Sequence, residues 1–149
     1  MIYVHIDDES AERVLLELAL KEADPDCTLI SADSVDAGLQ ELRALMRSGP
    51  SAGILVITDM KMPERNGLDL IREVRADPAI NSVPVVVLST SNHGPDIRAA
   101  YEGGAAAYHV KPLGLGESKA FAAALVSYWN QVKLAPIAQW PAELADLHN

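Results

Sequence analysis

Apolar and polar positions alternate between two patterns along this chain. Short runs of branched apolar residues at 2–6, 27–31, 53–58, 83–88 and 107–110 predict strands. Between them, 10–22, 34–47, 66–76, 96–102 and 118–133 repeat their apolar residues at helical spacing and predict helices. Ser10 is placed as the N-cap of the first helix, with Leu15, Leu18 and Ala19 facing inward. The second helix stops at Ser48-Gly49-Pro50, the third at Asp77-Pro78 and the fourth at Gly103-Gly104. Pro84 enters the fourth strand at its start, where a missing donor costs little. In the last helix, Phe121, Leu125, Tyr128 and Val132 form a stripe predicted to face a sheet. Ala122, Val126 and Trp129 form an adjacent stripe, open to two readings: a second inward face, or a partner surface.

Strands alternating with helices imply βαβ units, a parallel sheet covered on both faces, and a doubly wound α/β sandwich. The runs "GILVI" and "VPVVVL" are apolar without a break, as strands buried on both faces require. The alternation occupies residues 1–133. Beyond it, 134–149 ("LAPIAQWPAELADLHN") carries Leu134, Ile137, Trp140, Leu144 and Leu147, more apolar side chains than a frayed tail needs. It is expected to dock on its own domain or on a twin subunit.

Bulk properties narrow the function classes. At 149 residues the chain fits one domain. A net charge of −9 repels phosphate backbones and argues against direct nucleic-acid binding. Cys27 is the one cysteine, so no internal disulfide forms and a reducing compartment is expected. No apolar run approaches the roughly 18 residues of a membrane span, and the N-terminus lacks the basic stretch of a secretory signal. A cytoplasmic protein without a membrane segment is the expectation. His5, His93, His109 and His148 share no ligand spacing and read as structural or surface residues.

The chemistry gathers where strands end. In open α/β sheets, ligands bind outside the carboxyl ends of the strands. Asp7 and Asp8 end the first strand and Asp59, in "VITDMKMPERNG", ends the third. Each alone could cap a helix. If the two strands are neighbours, three carboxylates converge, and like charges at that range need raised pKa values or a cation. A hard, oxygen-seeking ion such as Mg²⁺ answers the need. The fourth strand ends in "LSTS" (Ser89, Thr90, Ser91) and the fifth in "HVKP", which adds Lys111. Acids, a hydroxyl and a lysine at one rim make a phosphoryl-transfer site, in which a carboxylate acts as nucleophile.

These residues give the sequence its resemblance to CheY-like response-regulator receiver domains. The Asp7-Asp8 pair, "TDMKMPERNG" around Asp59, Ser89 and "GAAAYHVKP" with Tyr108 and Lys111 occur in the family's order. Ser89, Tyr108 and Lys111 follow Asp59 by 30, 49 and 52 residues, the family's usual spacing. The resemblance implies a flavodoxin-like five-stranded sheet in the order 2-1-3-4-5 with helices on both faces. It implies Asp59 as phosphoacceptor, and Mg²⁺ (or Mn²⁺) held by Asp7, Asp8, Asp59 and the backbone carbonyl of Lys61. Lys111 would pair with the phosphoryl group, and its bond to Pro112 would be cis. Ser89 would bond the phosphoryl oxygen, with Thr90 as the alternative if the loop carries a one-residue shift. Tyr108 would rotate inward behind it. A sensor histidine kinase would be the donor partner, and the protein a phosphoacceptor rather than a turnover enzyme. No output domain follows in the sequence, so a stand-alone receiver is expected. "VVVLSTSNHGPDIRAAYEGGA" and "SYW" resemble small receivers paired with phytochrome-type histidine kinases, which are often homodimers. The dimer surface would involve the fourth helix, fifth strand and fifth helix, with Tyr101, Trp129 and Trp140. Two other classes stay in view. A haloacid-dehalogenase-like phosphatase would want an acid where Lys61 stands; a pseudo-receiver would bind partners without phosphorylation, and would not need Ser89 and Lys111.

Overall fold

A computed structural model of the chain describes residues 1–135. Five strands, β1 (Ile2–Ile6), β2 (Thr28–Ala32), β3 (Ile54–Thr58), β4 (Val85–Ser89) and β5 (Ala107–Val110), alternate with five helices. The helices are α1 (Ser10–Ala23), α2 (Val35–Ser48), α3 (Gly67–Ala76), α4 (Gly94–Gly103) and α5 (Gly114–Gln131). The strands pair in parallel in the order β2-β1-β3-β4-β5, as the resemblance implies.

The pleat sorts the core into two layers. Val4, Ile6, Val56, Val85 and Val87 point to the side of α2, α3 and α4, where Leu39, Leu42, Leu70, Ile71, Val74 and Ala100 meet them. Tyr3, Leu55, Ile57, Val86 and Leu88 point the other way, onto Leu16, Ala19 and Leu20 of α1 and Ala122, Leu125, Val126 and Trp129 of α5. Every residue of β1, β3 and β4 is buried, which is why those strands read as unbroken apolar runs. Each large side chain removed from water contributes about 1.5–3 kcal/mol.

Local chemistry fixes the ends of the helices. Ser34 caps α2 by accepting the Ala37 N–H at 3.1 Å, and Asn66 with Asp69 forms a reciprocal capping box at α3. Arg75 forms no ion pair with a carboxylate among the described residues. Its guanidinium donates to the carbonyls of Gly104, Asn81 and Val83, tying the α3 end to the turn after α4. Gly104 there holds φ +110, a conformation that side chains rarely adopt.

Several expectations are corrected. Ser10 is the first residue of α1 rather than its cap; Glu9 is the N-cap and makes no side-chain cap bond. The inward stripe of α1 is Leu16, Ala19 and Leu20, so Leu15 is half-buried and Leu18 lies exposed. In α5, Tyr128 faces solvent and Trp129 is buried at 8% exposure, which removes Trp129 from any partner surface. The cause is phase: residues 122, 125, 126 and 129 lie over α1 and the sheet, and the neighbouring position must point outward. The Lys111–Pro112 bond is trans, like every peptide bond among the described residues. A trans bond is the intrinsic preference before proline, and Lys111 still reaches the carboxylates from it. Of the 134–149 extension, Leu134 packs over Gly53 and beside Met1. Trp140 and the remainder lie outside the described residues.

Candidate functional site

The site forms because four parallel strands end at one rim. β1 and β3 run in register with Ile6 opposite Thr58, so Asp7 and Asp59 emerge side by side. The Asp59 N–H donates to the Ile6 carbonyl at 2.9 Å and locks that register. On the other side of β4, the Lys111 N–H donates to the Ser89 carbonyl at 2.7 Å. The structure thus brings Asp7, Asp8, Asp59, Ser89 and Lys111 to the same edge.

Carboxylate oxygens of Asp7, Asp8 and Asp59 lie within 4.8 Å of one another. Asp7 and Asp59 are buried; Asp8 is exposed. Lys111 is the internal counter-charge. Its Nζ lies 2.9 Å from Asp7 Oδ2 and 3.3 Å from Asp59 Oδ2, with all three side chains under 10% exposed. The remaining oxygens are also fixed: Asp7 Oδ1 accepts the Glu9 N–H at 3.0 Å, and Asp59 Oδ1 accepts the Met60 N–H at 2.7 Å. Arg13, which the sequence reading passed over, donates to the Asp7 backbone carbonyl at 2.7 Å.

Burial pushes the Asp59 carboxyl above the usual range; Lys111 pulls it back, and Asp7 adds to the rise. For Lys111, burial lowers the pKa, but the Asp7 hydrogen bond and the Asp59 and Asp7 charges outweigh it and the net shift is upward. His5 is enclosed beneath the site, and burial lowers its pKa to about 4, so the ring is neutral near pH 7. Its Nδ1 has no hydrogen-bond partner among the described residues.

Three clustered carboxylates, two of them buried and one open to solvent, suit a hard divalent cation with oxygen ligands. Lys61 lies in the loop after Asp59 with its side chain exposed, lining a recess of about 480 Å³ with Met60, Met62 and Asp96. Gly67 backs this loop: a Cβ there would stand 2.4 Å from the Asp59 carbonyl oxygen.

The hydroxyls divide. Ser89 closes β4 at 1% exposure, and its Oγ accepts the Ser91 N–H at 3.2 Å. Thr90 is exposed and lines a different recess, with Val110, Pro112 and Leu113. Tyr108 is half-buried, and its hydroxyl donates to the Ser91 carbonyl at 2.8 Å. Tyr101 is 49% exposed on α4, and its hydroxyl oxygen accepts the Tyr108 N–H at 3.1 Å. No spacing rule pointed to Arg13 or to the Ser91 contacts, because each depends on how a loop folds back.

Comparison with known proteins agrees with this geometry. Residues 4–122 match the family model described as "Response regulator receiver domain". The two-component response regulator ORR4 of Oryza sativa subsp. indica is 29% identical over 145 residues, covering 89% of this chain and 62% of the relative. The chain spans 60–64% of the length of the first curated relatives it matches. The response regulator Rcp1 of Synechocystis sp. is 26% identical over 137 residues, covering 89% of this chain and 91% of Rcp1. The crystal structure of Mn²⁺-bound Rcp1 superposes with a TM-score of 0.76 at 26% identity, over 90% of this chain and 98% of that one. The phosphorylated cyanobacterial phytochrome response regulator RcpA shares the fold, with a TM-score of 0.74 at 23% identity over 91% and 97% of the two chains.

Proposed function

The chain belongs to the response regulator receiver family, and from that premise we propose that it accepts a phosphoryl group from a sensor histidine kinase on Asp59 and signals by protein contacts. The observation that carries the reading is the buried Lys111 ammonium set between Asp7 and Asp59, with Asp8 completing the acid cluster. A capping acid needs no such counter-charge, and an electrostatic clamp on an incoming phosphoryl group does.

In the transfer, the P–N bond of a phosphohistidine breaks and its electron pair returns to the imidazole nitrogen. An Asp59 carboxylate oxygen forms the new O–P bond, giving an acyl phosphate. The Met60 N–H holds Asp59 in orientation for that attack. Lys111 opposes the upward push of burial on the Asp59 carboxyl and would then face the added negative charge. Ser89, buried at the end of β4, is the hydroxyl that would donate to a phosphoryl oxygen; Thr90 points to solvent. Asp7, Asp8, Asp59 and the Lys61 carbonyl would hold Mg²⁺ or Mn²⁺, which when bound neutralises phosphoryl oxygens. Tyr108 then reports the change on the face of α4, β5 and α5, where exposed Tyr101 favours a homodimer contact. The likeness to Rcp1 and RcpA supports a kinase of the phytochrome type.

The test is phosphorylation with a small acyl-phosphate donor and Mg²⁺, followed by intact-mass measurement. One added phosphoryl group, absent in Asp59→Asn, is expected. No adduct on the wild type, or an adduct that survives the substitution, overturns the assignment. Phosphotransfer from histidine kinases of the same organism then identifies the donor.

A further inference from the structure

Ser91 has all three of its polar groups engaged, each with a different part of the molecule. Its N–H donates to Ser89 Oγ at 3.2 Å. Its own hydroxyl donates to Asp96 Oδ2 at 2.5 Å, in the first turn of α4, and accepts the His93 N–H at 3.2 Å. Its carbonyl accepts the Tyr108 hydroxyl at 2.8 Å. One residue therefore touches the site hydroxyl, the start of α4 and the β5 aromatic.

We propose that Ser91 is a positioning residue with two separable output arms, a side-chain arm to α4 through Asp96 and a backbone arm to β5 through Tyr108. The inference rests on the phosphoacceptor reading of Asp59. The Ser91 N–H occupies a lone pair of Ser89 Oγ. The hydroxyl hydrogen of Ser89 has no acceptor among the described residues, so it is free to donate to a phosphoryl oxygen. When Ser89 moves toward that oxygen, the Ser91 peptide follows through the same bond. Both arms are rooted on Ser91, so both receive the displacement. Asp96 also borders the recess beside Lys61, so the α4 arm changes the wall of that recess.

The two arms can be cut one at a time. Ser91→Ala deletes the hydroxyl and leaves the N–H and carbonyl; Tyr108→Phe does the reverse. The experiment is amide and aromatic NMR of the full chain titrated with beryllium fluoride and Mg²⁺, a mimic of the phosphoryl group. In the wild type, the amides of Ile97 and Arg98 and the Tyr108 ring should shift together. In Ser91→Ala the Tyr108 ring should still shift, while the α4 response falls by about fivefold, the weight of one net hydrogen bond. Ser91→Thr should restore it. In Tyr108→Phe the α4 response should persist. Asp96→Ala cuts the same arm from the helix side, at a half-buried position that leaves the core untouched. It should lose the α4 response in the same way.

An α4 response in Ser91→Ala or Asp96→Ala equal to the wild type overturns the inference, as does parallel loss of the α4 and Tyr108 responses. A wild type that shifts at Asp59 and Ser89 but not at α4 overturns it and leaves the phosphoacceptor reading standing. A wild type that binds no beryllium fluoride overturns both.

Discussion

Replacing Lys111 by methionine is the sharpest test of how the site is balanced. The change keeps the aliphatic stem and removes the cation. Asp7 and Asp59, at 1% and 8% side-chain exposure, are then left without a paired cation among the described residues. Breaking a buried ion pair from one side costs about 3–5 kcal/mol. The exposed Asp8 marks a side of the cluster open to water, which moves the cost to the lower end, about 3 kcal/mol. For a domain of this size that is a fall in Tm of roughly 6–12 °C. The assay is thermal and urea denaturation by circular dichroism in chelator, with the m-value checked for constancy. Adding Asp59→Asn to Lys111→Met should recover about 2 kcal/mol, more than the roughly 1 kcal/mol it gives the wild type, because groups in contact are not additive. Lys111→Met within about 0.5 kcal/mol of the wild type, or full additivity with Asp59→Asn, would refute the picture of Lys111 as the counter-ion of two buried acids.

Three further outcomes follow from the same geometry. Burial raises the pKa of Asp59, so its ionised form is a cost to the metal-free fold above that raised value, relieved as pH falls through it. Asp59→Asn should therefore raise Tm near pH 7 in chelator by roughly 2–4 °C, about 1 kcal/mol, and the gain should shrink on acidification. His5 has the opposite sign. Its pKa drops from 6.5 to about 4 on folding, so the unfolded chain takes the proton first and stability is lost as pH falls from 6.5 toward 4. The loss is about 3 kcal/mol, and His5→Gln should flatten that limb of the pH–stability curve. Gly67→Ala places a Cβ 2.4 Å from the Asp59 carbonyl oxygen and 3.0 Å from Met60 Cα, both backbone atoms that cannot swing aside. It should cost about 1–3 kcal/mol and slow adduct formation, read by urea midpoint and intact mass; an adduct rate equal to wild type would show that the loop tolerates the shift.

The order of elements and the positions of the charged residues were legible because both follow from local pattern. Unbroken apolar runs mark strands buried on two faces, and the acids and lysine stand where those runs stop. The same property hid other things. A strand buried on both faces shows no alternation, so nothing in "VVVLS" told which face residue 89 belongs to, and Ser89 and Thr90 stayed open. The phase of α1 was misread because Leu15, Leu16, Leu18 and Leu20 offer two overlapping apolar stripes, and only the packing against α5 selects one. The exchange of Tyr128 and Trp129 has the same origin. Arg13, Gly67 and Ser91 act through backbone atoms or close approach, which leave no periodic signal.

Pleat parity, invisible in the sequence of β4, divides the site once the sheet is seen. Asp7 continues the parity of Tyr3 and His5, and Asp59 that of Leu55 and Ile57, residues of the α1 and α5 side. Lys111 continues the parity of Ala107 and His109, the latter packed edge-on against Phe121 of α5. Ser89 instead follows Val85 and Val87, and Tyr108 packs with the opposite layer, under α2, α3 and α4. Asp7, Asp59 and Lys111 thus continue one face of the sheet, and Ser89 and Tyr108, which would register a phosphoryl group, belong to the other. Neither layer alone can do both. On the proposed reading, a phosphoryl group on Asp59 would reach α4 by being grasped across the rim by Ser89, which carries no charge. On that division, removing the Lys111 charge is expected to cost far more stability than displacing Ser89, Ser91 or Tyr108, which are joined by neutral hydrogen bonds of modest net weight.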